Sequence, residues 1–189
     1  MTRSQVSSAE LSAELKRQIA GEVRFDDMSR GLYSTDASIY QIPPIGVVLP
    51  RSREDVLATI DVAAQFGVPI LPRGSGTSLS GQTVAAAVVI DFSKYMNRIL
   101  EIDTERQLVR IEPGVVLDQL NTALKPHGLQ FGPDVATSSR ANLGGMIGNN
   151  SAGSRSVRQG KVIDHVRELD VVLSDGTELS CAPQAVGAV

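Results

Sequence analysis

In the first half of the chain, segments with the pattern of a β-strand alternate with a segment that has the pattern of a helix. This alternation restricts the folds that the chain can adopt. Residues 45–50 form a short β-branched run that predicts a buried strand. Ser52, with acidic residues two and three positions later, predicts the start of a helix that ends at Gly67. Residues 68–71 and 85–91 predict two further strands. This order, with short connections, favours a parallel or mixed sheet flanked by helices.

A helix is predicted before this unit. Residues 1–21 place Leu11 and Leu15 on one apolar stripe, with Ser7 or Ser8 as the N-cap and a glycine at the end. The polar segment that follows, residues 25–42, shows no regular period and is predicted to be irregular.

The second half of the chain has the pattern of an antiparallel sheet with one amphipathic helix. Residues 99–102 and 108–112 predict two strands, and residues 116–125 predict a helix with three inward leucines. Residues 166–173 and 177–181 flank an Asp-Gly pair, which is a strong hairpin signal.

These patterns predict an α+β chain in three parts. We expect an N-terminal helix over residues 1–24 and a small α/β subdomain over residues 25–98. Residues 99–189 would form a second subdomain, with a more antiparallel sheet and flanking helices.

Composition excludes several classes of function. The 189 residues are 42% hydrophobic and 21% charged, which is ordinary for a soluble globular protein. A net charge of −3 provides no basic field for nucleic acid or anionic lipid. The single cysteine, Cys181, excludes an internal disulfide, and two histidines cannot form a three-histidine metal site. No apolar run is long enough to span a membrane, so we expect a cytoplasmic chain that is at most peripheral to one.

A glycine-rich stretch, residues 72–82, follows the second predicted strand. Its glycines permit positive φ and close approach of a ligand, its N–H groups and hydroxyls are donors, and its one cation is Arg73. A dinucleotide fingerprint would need glycine at Leu79, and a P-loop would need Gly-Lys, so neither motif is present. Taken alone, the stretch is either a phosphate-binding turn or an ordinary surface turn.

A second glycine-rich stretch, residues 131–156, makes the ligand interpretation more specific. Four of its glycines, at positions 144, 145, 148 and 153, are spaced among asparagines and serines. Two such stretches in one short chain are explained if the backbone approaches an extended ligand at two places.

These two stretches resemble the FAD-binding domain of the vanillyl-alcohol oxidase and p-cresol methylhydroxylase superfamily. The chain is most similar to the FAD-linked D-2-hydroxy-acid dehydrogenase branch, which acts on D-lactate, glycolate or D-2-hydroxyglutarate. The resemblance covers about residues 36–179 and rests on four ordered blocks. They are Pro72 to Ser78, Gly132-Pro133-Asp134, Leu143-Gly144-Gly145 with Asn149-Asn150-Ser151, and Asp164-His165-Val166 leading into residues 170–176.

The resemblance implies a cofactor-binding role for each block and names no catalytic residue and no metal ligand. The pyrophosphate of FAD would bind the first loop, through Arg73, Gly74, Ser75, Gly76, Thr77, Ser78, Gly81 and Gln82. The flavin and phosphate side would be lined by Pro133, Asp134, Thr137 and Ser138. The chain would pass against the cofactor at Gly144, Gly145, Gly148, Asn149 and Gly153, with Val166 near the adenine.

Departures from the family pattern add further expectations. Superfamily members with covalent flavin often carry a histidine in the first loop, where this chain has Ser75 and Thr77, so FAD would bind noncovalently. Gln159 replaces an aromatic residue, and His165 is expected to have a structural role in its loop. Because the family continues with a substrate-binding domain, we expect an N-terminal fragment whose catalytic residues lie elsewhere.

The implied function is the FAD-binding module of a flavoprotein that oxidises a D-2-hydroxy acid to a 2-oxo acid. The small substrate would bind through a domain outside this chain, and an unknown acceptor would receive the electrons. The alternative is a nucleotide-binding fragment without turnover.

Overall fold

The strands predicted in the first half of the chain lie side by side in the computed structural model, which describes residues 7–182. In this part of the chain the helices are α1 Ser8–Gln18, α2 Asp27–Leu32, α3 Arg53–Gln65, α4 Leu117–Leu124, α5 Leu143–Gly148 and α6 Ser156–Gln159. The strands are β1 Glu22–Arg24, β2 Gly46–Leu49, β3 Ile70–Arg73, β4 Val88–Asp91, β5 Ile99–Asp103, β6 Leu108–Ile111, β7 Leu169–Val172 and β8 Glu178–Cys181.

The main sheet is mixed, as the alternation predicted. Its strand order is β1-β2-β4-β3, in which β4 pairs in parallel with both β2 and β3 while β1 pairs antiparallel with β2. Every residue of β2 and β4 is buried, which explains their continuous apolar sequence. The predicted mixed sheet is thus confirmed.

Helices α1 and α3 begin at side-chain caps. The hydroxyl of Ser7 accepts from the N–H of Glu10 at 3.4 Å, and the hydroxyl of Ser52 accepts from the N–H of Asp55 at 3.3 Å. The stripe of α1 packs with the centre of the sheet in one core cluster that includes the fully buried Leu11. Both caps agree with the sequence prediction.

A second core lies in the later half of the chain. Strands β5 and β6 pair antiparallel, and so do β7 and β8, as predicted. The inward leucines of α4 join residues of α5 in this core, whose buried members are Val115, Leu117, Leu120, Leu124, Ala141, Leu143, Met146 and Val162. The division into subdomains at residues 24 and 98 stays a prediction.

The structure differs from the predicted elements in several places. The segment expected to be irregular contains α2, capped by Asp26, and β1 lies just before it. β3 begins at Ile70, because the N–H of Val68 donates instead to the carbonyl of Ala63 at the end of α3. β7 begins at Leu169 rather than three residues earlier, after a short 3₁₀ turn.

Among residues 7–182, no helix is both long enough and apolar enough to cross a membrane.

Candidate functional site

The first glycine-rich loop leaves the main sheet at the carboxyl ends of two neighbouring parallel strands. β3 ends at Arg73, which lies opposite Asp91, the last residue of β4. In open α/β sheets, ligands bind beyond the carboxyl ends of the strands. The loop therefore begins at the edge of the sheet where a ligand site is expected.

The guanidinium of Arg73 is buried at the start of this loop and is bound by the chain's own carbonyl groups. Its Nη1 donates to the carbonyls of Tyr33 at 3.1 Å and Thr83 at 2.8 Å, and its Nη2 donates to that of Thr35 at 2.8 Å. Burial lowers the pKa of Arg73, and attraction to Asp91 opposes this shift. An arginine nevertheless stays charged in proteins. Arg73 therefore ties its own strand end to the segment of Tyr33 and Thr35 and to the segment of Thr83. The sequence pattern did not indicate this role.

Two glycines of the first loop have backbone angles that other residues rarely adopt. The φ angle is +70° at Gly76 and +76° at Gly81. A Cβ on Gly76 would lie 2.6 Å from Nη2 of Arg73, and one on Gly81 would lie 2.6 Å from Cδ2 of Tyr40. The protein's own packing therefore requires glycine at both positions.

The middle of the first loop presents backbone donors. From Ser75 to Leu79, five consecutive N–H groups make no hydrogen bond with any part of the chain that the structure describes. The side chains of Thr77 and Ser78 belong to half-buried residues of the same run. Consecutive N–H groups without partners form an anion-binding concavity. The loop can therefore bind an anionic group through its backbone.

The second glycine-rich segment contains the short helix α5, which the sequence pattern did not predict. Leu143 and Met146 face the second core, and Gly144 packs so closely on Pro113 that a Cβ would lie 2.7 Å from the proline Cβ. Gly145 and Gly148 are exposed, and a Cβ on either would meet no atom within 4 Å. α5 therefore presents a bare glycine face on which a flat group could lie.

Direct polar contacts connect the two loops. The hydroxyl of Ser75 donates to the carbonyl of Arg140 at 2.6 Å. Nε2 of Gln82 donates to Oδ1 of Asn149, the C-cap residue that follows α5, at 3.1 Å. The two predicted ligand segments thus form one surface.

Asp134 braces the end of the second loop. Its carboxylate accepts from the N–H of Arg155 at 2.9 Å and from the hydroxyl of Ser154 at 2.8 Å, and these bonds lower the pKa of Asp134. A Cβ on Gly153 would overlap the carbonyl oxygen of Asp134. Glycine is needed there because the two backbone segments touch.

The remaining predicted residues make their described contacts away from the first loop. Pro133 is buried, the carbonyl of Thr137 accepts from the N–H of Arg140, and that of Ser138 accepts from the N–H of Asp118. Val166 packs against the second core. The described contacts do not bring these four residues to the first loop.

His165 lies in a loop contact near the same segment. Its Nε2 is 2.7 Å from the carbonyl oxygen of Gln159, and its ring is tilted against Phe131 with ring centres 5.4 Å apart. Within residues 7–182, no group of three His, Cys, Asp or Glu side chains could hold a metal ion.

Sequence reasoning missed Asn142, a residue of the second loop that lies against Gly74 of the first. It is 4% exposed, its Nδ2 donates to the carbonyl of Gly114 at 2.6 Å, and its Oδ1 has no partner among the described residues. A Cβ on Gly74 would lie 2.6 Å from that oxygen. The available sequence signal was an asparagine just before Leu-Gly-Gly, a typical helix N-cap position.

Comparisons with known proteins agree with this geometry. The profile of a family described as "FAD binding domain" matches residues 44–182. A D-2-hydroxyglutarate dehydrogenase of Pseudomonas putida is 45% identical over 166 residues, which are 86% of this chain and 16% of that protein. A glycolate oxidase subunit GlcD of Bacillus subtilis is 38% identical over 84% of this chain and 35% of its own length.

Solved structures share the fold. An alkyldihydroxyacetonephosphate synthase superposes with a TM-score of 0.82 at 23% identity, covering 96% of this chain and 36% of that one. The chain thus spans a minor part of the length of each of these three proteins.

Proposed function

This chain belongs to the FAD binding domain family, and from that premise we propose that its two glycine-rich loops together hold one FAD molecule. The observation that carries the proposal is the run of five N–H groups in the first loop that have no partner among the described residues. Hydrogen bonds from Ser75 to Arg140 and from Gln82 to Asn149 hold this loop to the second one, which presents the bare glycine face of α5. The first suits the pyrophosphate and the second suits a flat ring. The residues present therefore fit the cofactor.

In this proposal the predicted residues divide into two groups. Those that contact FAD lie on the shared surface of the loops: Ser75, Gly76, Thr77, Ser78, Gln82, Gly145, Gly148 and Asn149. Those that shape the surface are Arg73, Gly74, Gly81, Pro133, Asp134, Thr137, Ser138, Gly144, Gly153 and Val166. For Arg73, support for a shaping role comes from its burial and its three carbonyl partners.

We also propose that FAD binds without a covalent bond. The first loop has hydroxyl side chains, Ser75 and Thr77, where covalently flavinylated relatives often have histidine. Complete release of flavin on denaturation is therefore expected.

The activity we propose is the oxidation of a D-2-hydroxy acid to a 2-oxo acid. The support is that relatives are named D-2-hydroxyglutarate dehydrogenase and glycolate oxidase subunit GlcD. Bound FAD would supply the hydride-accepting chemistry, and the residues of this chain would place it and keep its phosphates bound. The electron acceptor is left open, and a cytoplasmic location, at most peripheral to a membrane, stays a prediction.

The test is titration of the purified 189-residue chain with FAD, followed by gel filtration and denaturation. Co-elution of one FAD per chain and its full release in denaturant is the expected result. Failure of the chain to retain FAD after reconstitution would overturn the binding proposal.

A separate assay concerns turnover. We expect that the 189-residue chain loaded with FAD does not reduce a dye with D-2-hydroxyglutarate or D-lactate, because in the proposed function the groups that bind the hydroxy acid belong to a separate substrate-binding domain. Dye reduction dependent on the D enantiomer would show that this chain contains the catalytic groups.

A further inference from the structure

Asn142 has an unusual hydrogen-bonding state for a buried asparagine. It occupies the N-cap position of α5, yet its side chain does not cap the helix. A buried acceptor without a partner costs about 1–3 kcal/mol. Oδ1 has no hydrogen-bond donor within the described chain, and it lies against Gly74.

The orientation of this amide is fixed by its other end. Nδ2 donates to the carbonyl of Gly114 at 2.6 Å, so exchanging the amide nitrogen and oxygen would bring two oxygens to that distance. The atom that faces Gly74 is therefore the oxygen. It can only accept a hydrogen bond, so its partner must be a donor and cannot be an ionised phosphate oxygen.

The position of the oxygen narrows the choice of donor. Gly74 directly precedes the run of N–H groups, Ser75 to Leu79, to which we assign the pyrophosphate. In FAD, the groups attached on either side of the pyrophosphate are ribityl and ribose, and both carry hydroxyls. A donor beside the phosphate-binding run therefore matches a sugar hydroxyl of this cofactor.

Resting on the proposed function, we propose that Oδ1 of Asn142 accepts a hydrogen bond from a ribityl or ribose hydroxyl of bound FAD. Gly74 covers the oxygen and has no side chain, and with Ser75 it lines a cavity of about 200 Å³. Since the oxygen is buried, the proposal requires Gly74 to shift and uncover it when FAD binds. Asn142 is then a cofactor-binding residue that also holds α5 in place through Gly114.

The test is a thermodynamic cycle between the side chain and the cofactor hydroxyls. The chain and its Asn142→Leu variant are titrated with FAD, with an FAD analogue whose ribityl is an unsubstituted pentyl chain, and with an analogue carrying 2′,3′-dideoxyribose. Asn97→Leu is the matched control, because Nδ2 of Asn97 also donates to backbone carbonyls, those of Ser93 and Lys94. Asn142→Ser repeats the cycle if the leucine variant does not fold.

One analogue should bind the unmodified chain about 10-fold more weakly than FAD does, which corresponds to about 1.4 kcal/mol. Asn142→Leu should lower the affinity for FAD by a similar factor, and this variant should bind FAD and that analogue with nearly equal affinity. Which of the two analogues binds more weakly to the unmodified chain identifies the sugar. The inference is overturned if the variant prefers FAD to the analogue as strongly as the unmodified chain does, or if the variant binds FAD with unchanged affinity. Failure of the unmodified chain to bind FAD would instead refute the proposed function.

Discussion

Replacing Gly76 by alanine tests the role assigned to the buried guanidinium of Arg73. Gly76 has a φ of +70°, and an added Cβ would lie 2.6 Å from Nη2 and 3.2 Å from Cζ of Arg73. The guanidinium cannot retreat freely, since Nη2 donates to Thr35 and Nη1 to two further carbonyls. The substitution should therefore strain the backbone and displace Arg73 together.

Two contributions set the size of the effect. The left-handed backbone costs a residue with a Cβ about 1–2 kcal/mol. Loss of one hydrogen bond from the charged Nη2 costs about 1.5–3 kcal/mol more. For a chain of this length, each kcal/mol lowers the Tm by about 2–4 °C. Adding the two costs, we expect Gly76→Ala to lower the free energy of unfolding by about 3 kcal/mol and the Tm by about 10 °C.

The assay is thermal and urea unfolding of the purified chain without FAD, followed by circular dichroism. Gly31→Ala is the matched control, because Gly31 lies in α2, outside both loops, and a Cβ there would meet no atom within 4 Å. That variant should equal the unmodified chain or gain up to about 1 kcal/mol. If Gly76→Ala also unfolds within about 2 °C of the unmodified chain, by the same conversion, the account of Arg73 as a buried support is wrong.

Three further substitutions test cofactor binding and stability. Gly145→Gln adds bulk to the bare face of α5, so the FAD affinity measured by flavin fluorescence should fall about 10-fold or more, equal to about 1.4 kcal/mol. The stability of this variant in urea should not fall. Unchanged FAD affinity would show that α5 is not part of the site. Arg73→Lys loses the forked donor and should lose about 2 kcal/mol of stability, while the dependence of FAD affinity on salt stays the same; a reduced dependence would indicate direct phosphate contact. Hydrogen bonds from Lys94, Tyr95 and Arg24 lower the pKa of Glu22 from 4.5 to about 2. Stability from this carboxylate is therefore present above pH 4.5 and is lost as the pH falls toward 2, so Glu22→Gln should flatten the pH dependence of urea unfolding in that range, and an unchanged slope would refute the assignment.

The elements that sequence reasoning located are those specified by local pattern. The cap at Ser52, the buried runs of β2 and β4 and the Asp-Gly hairpin are all determined by residues close in sequence. β1 was missed because three residues carry no usable period, and its strand character comes from pairing with β2, more than 20 residues away. The helix α5 was hidden because its two adjacent glycines have low helix propensity.

The candidate site divides in the same way. The glycine-rich composition of both loops could be recognised from sequence, whereas the partners of Arg73 lie 10, 38 and 40 residues away and are backbone carbonyls. No side-chain pattern encodes such partners. The contact of Asn142 with Gly74 is equally long-range. Sequence thus indicated where a ligand could bind, and only the fold shows which residues support the surface.

The most direct test of the central claim is a titration of the isotope-labelled chain with FAD, followed by amide resonances in two-dimensional NMR. The account predicts that the five amides from Ser75 to Leu79 shift most, together with those of Gly145 to Asn149, and that they become protected from hydrogen exchange. Binding of FAD with those amides unchanged, or with the largest shifts elsewhere on the chain, would contradict it.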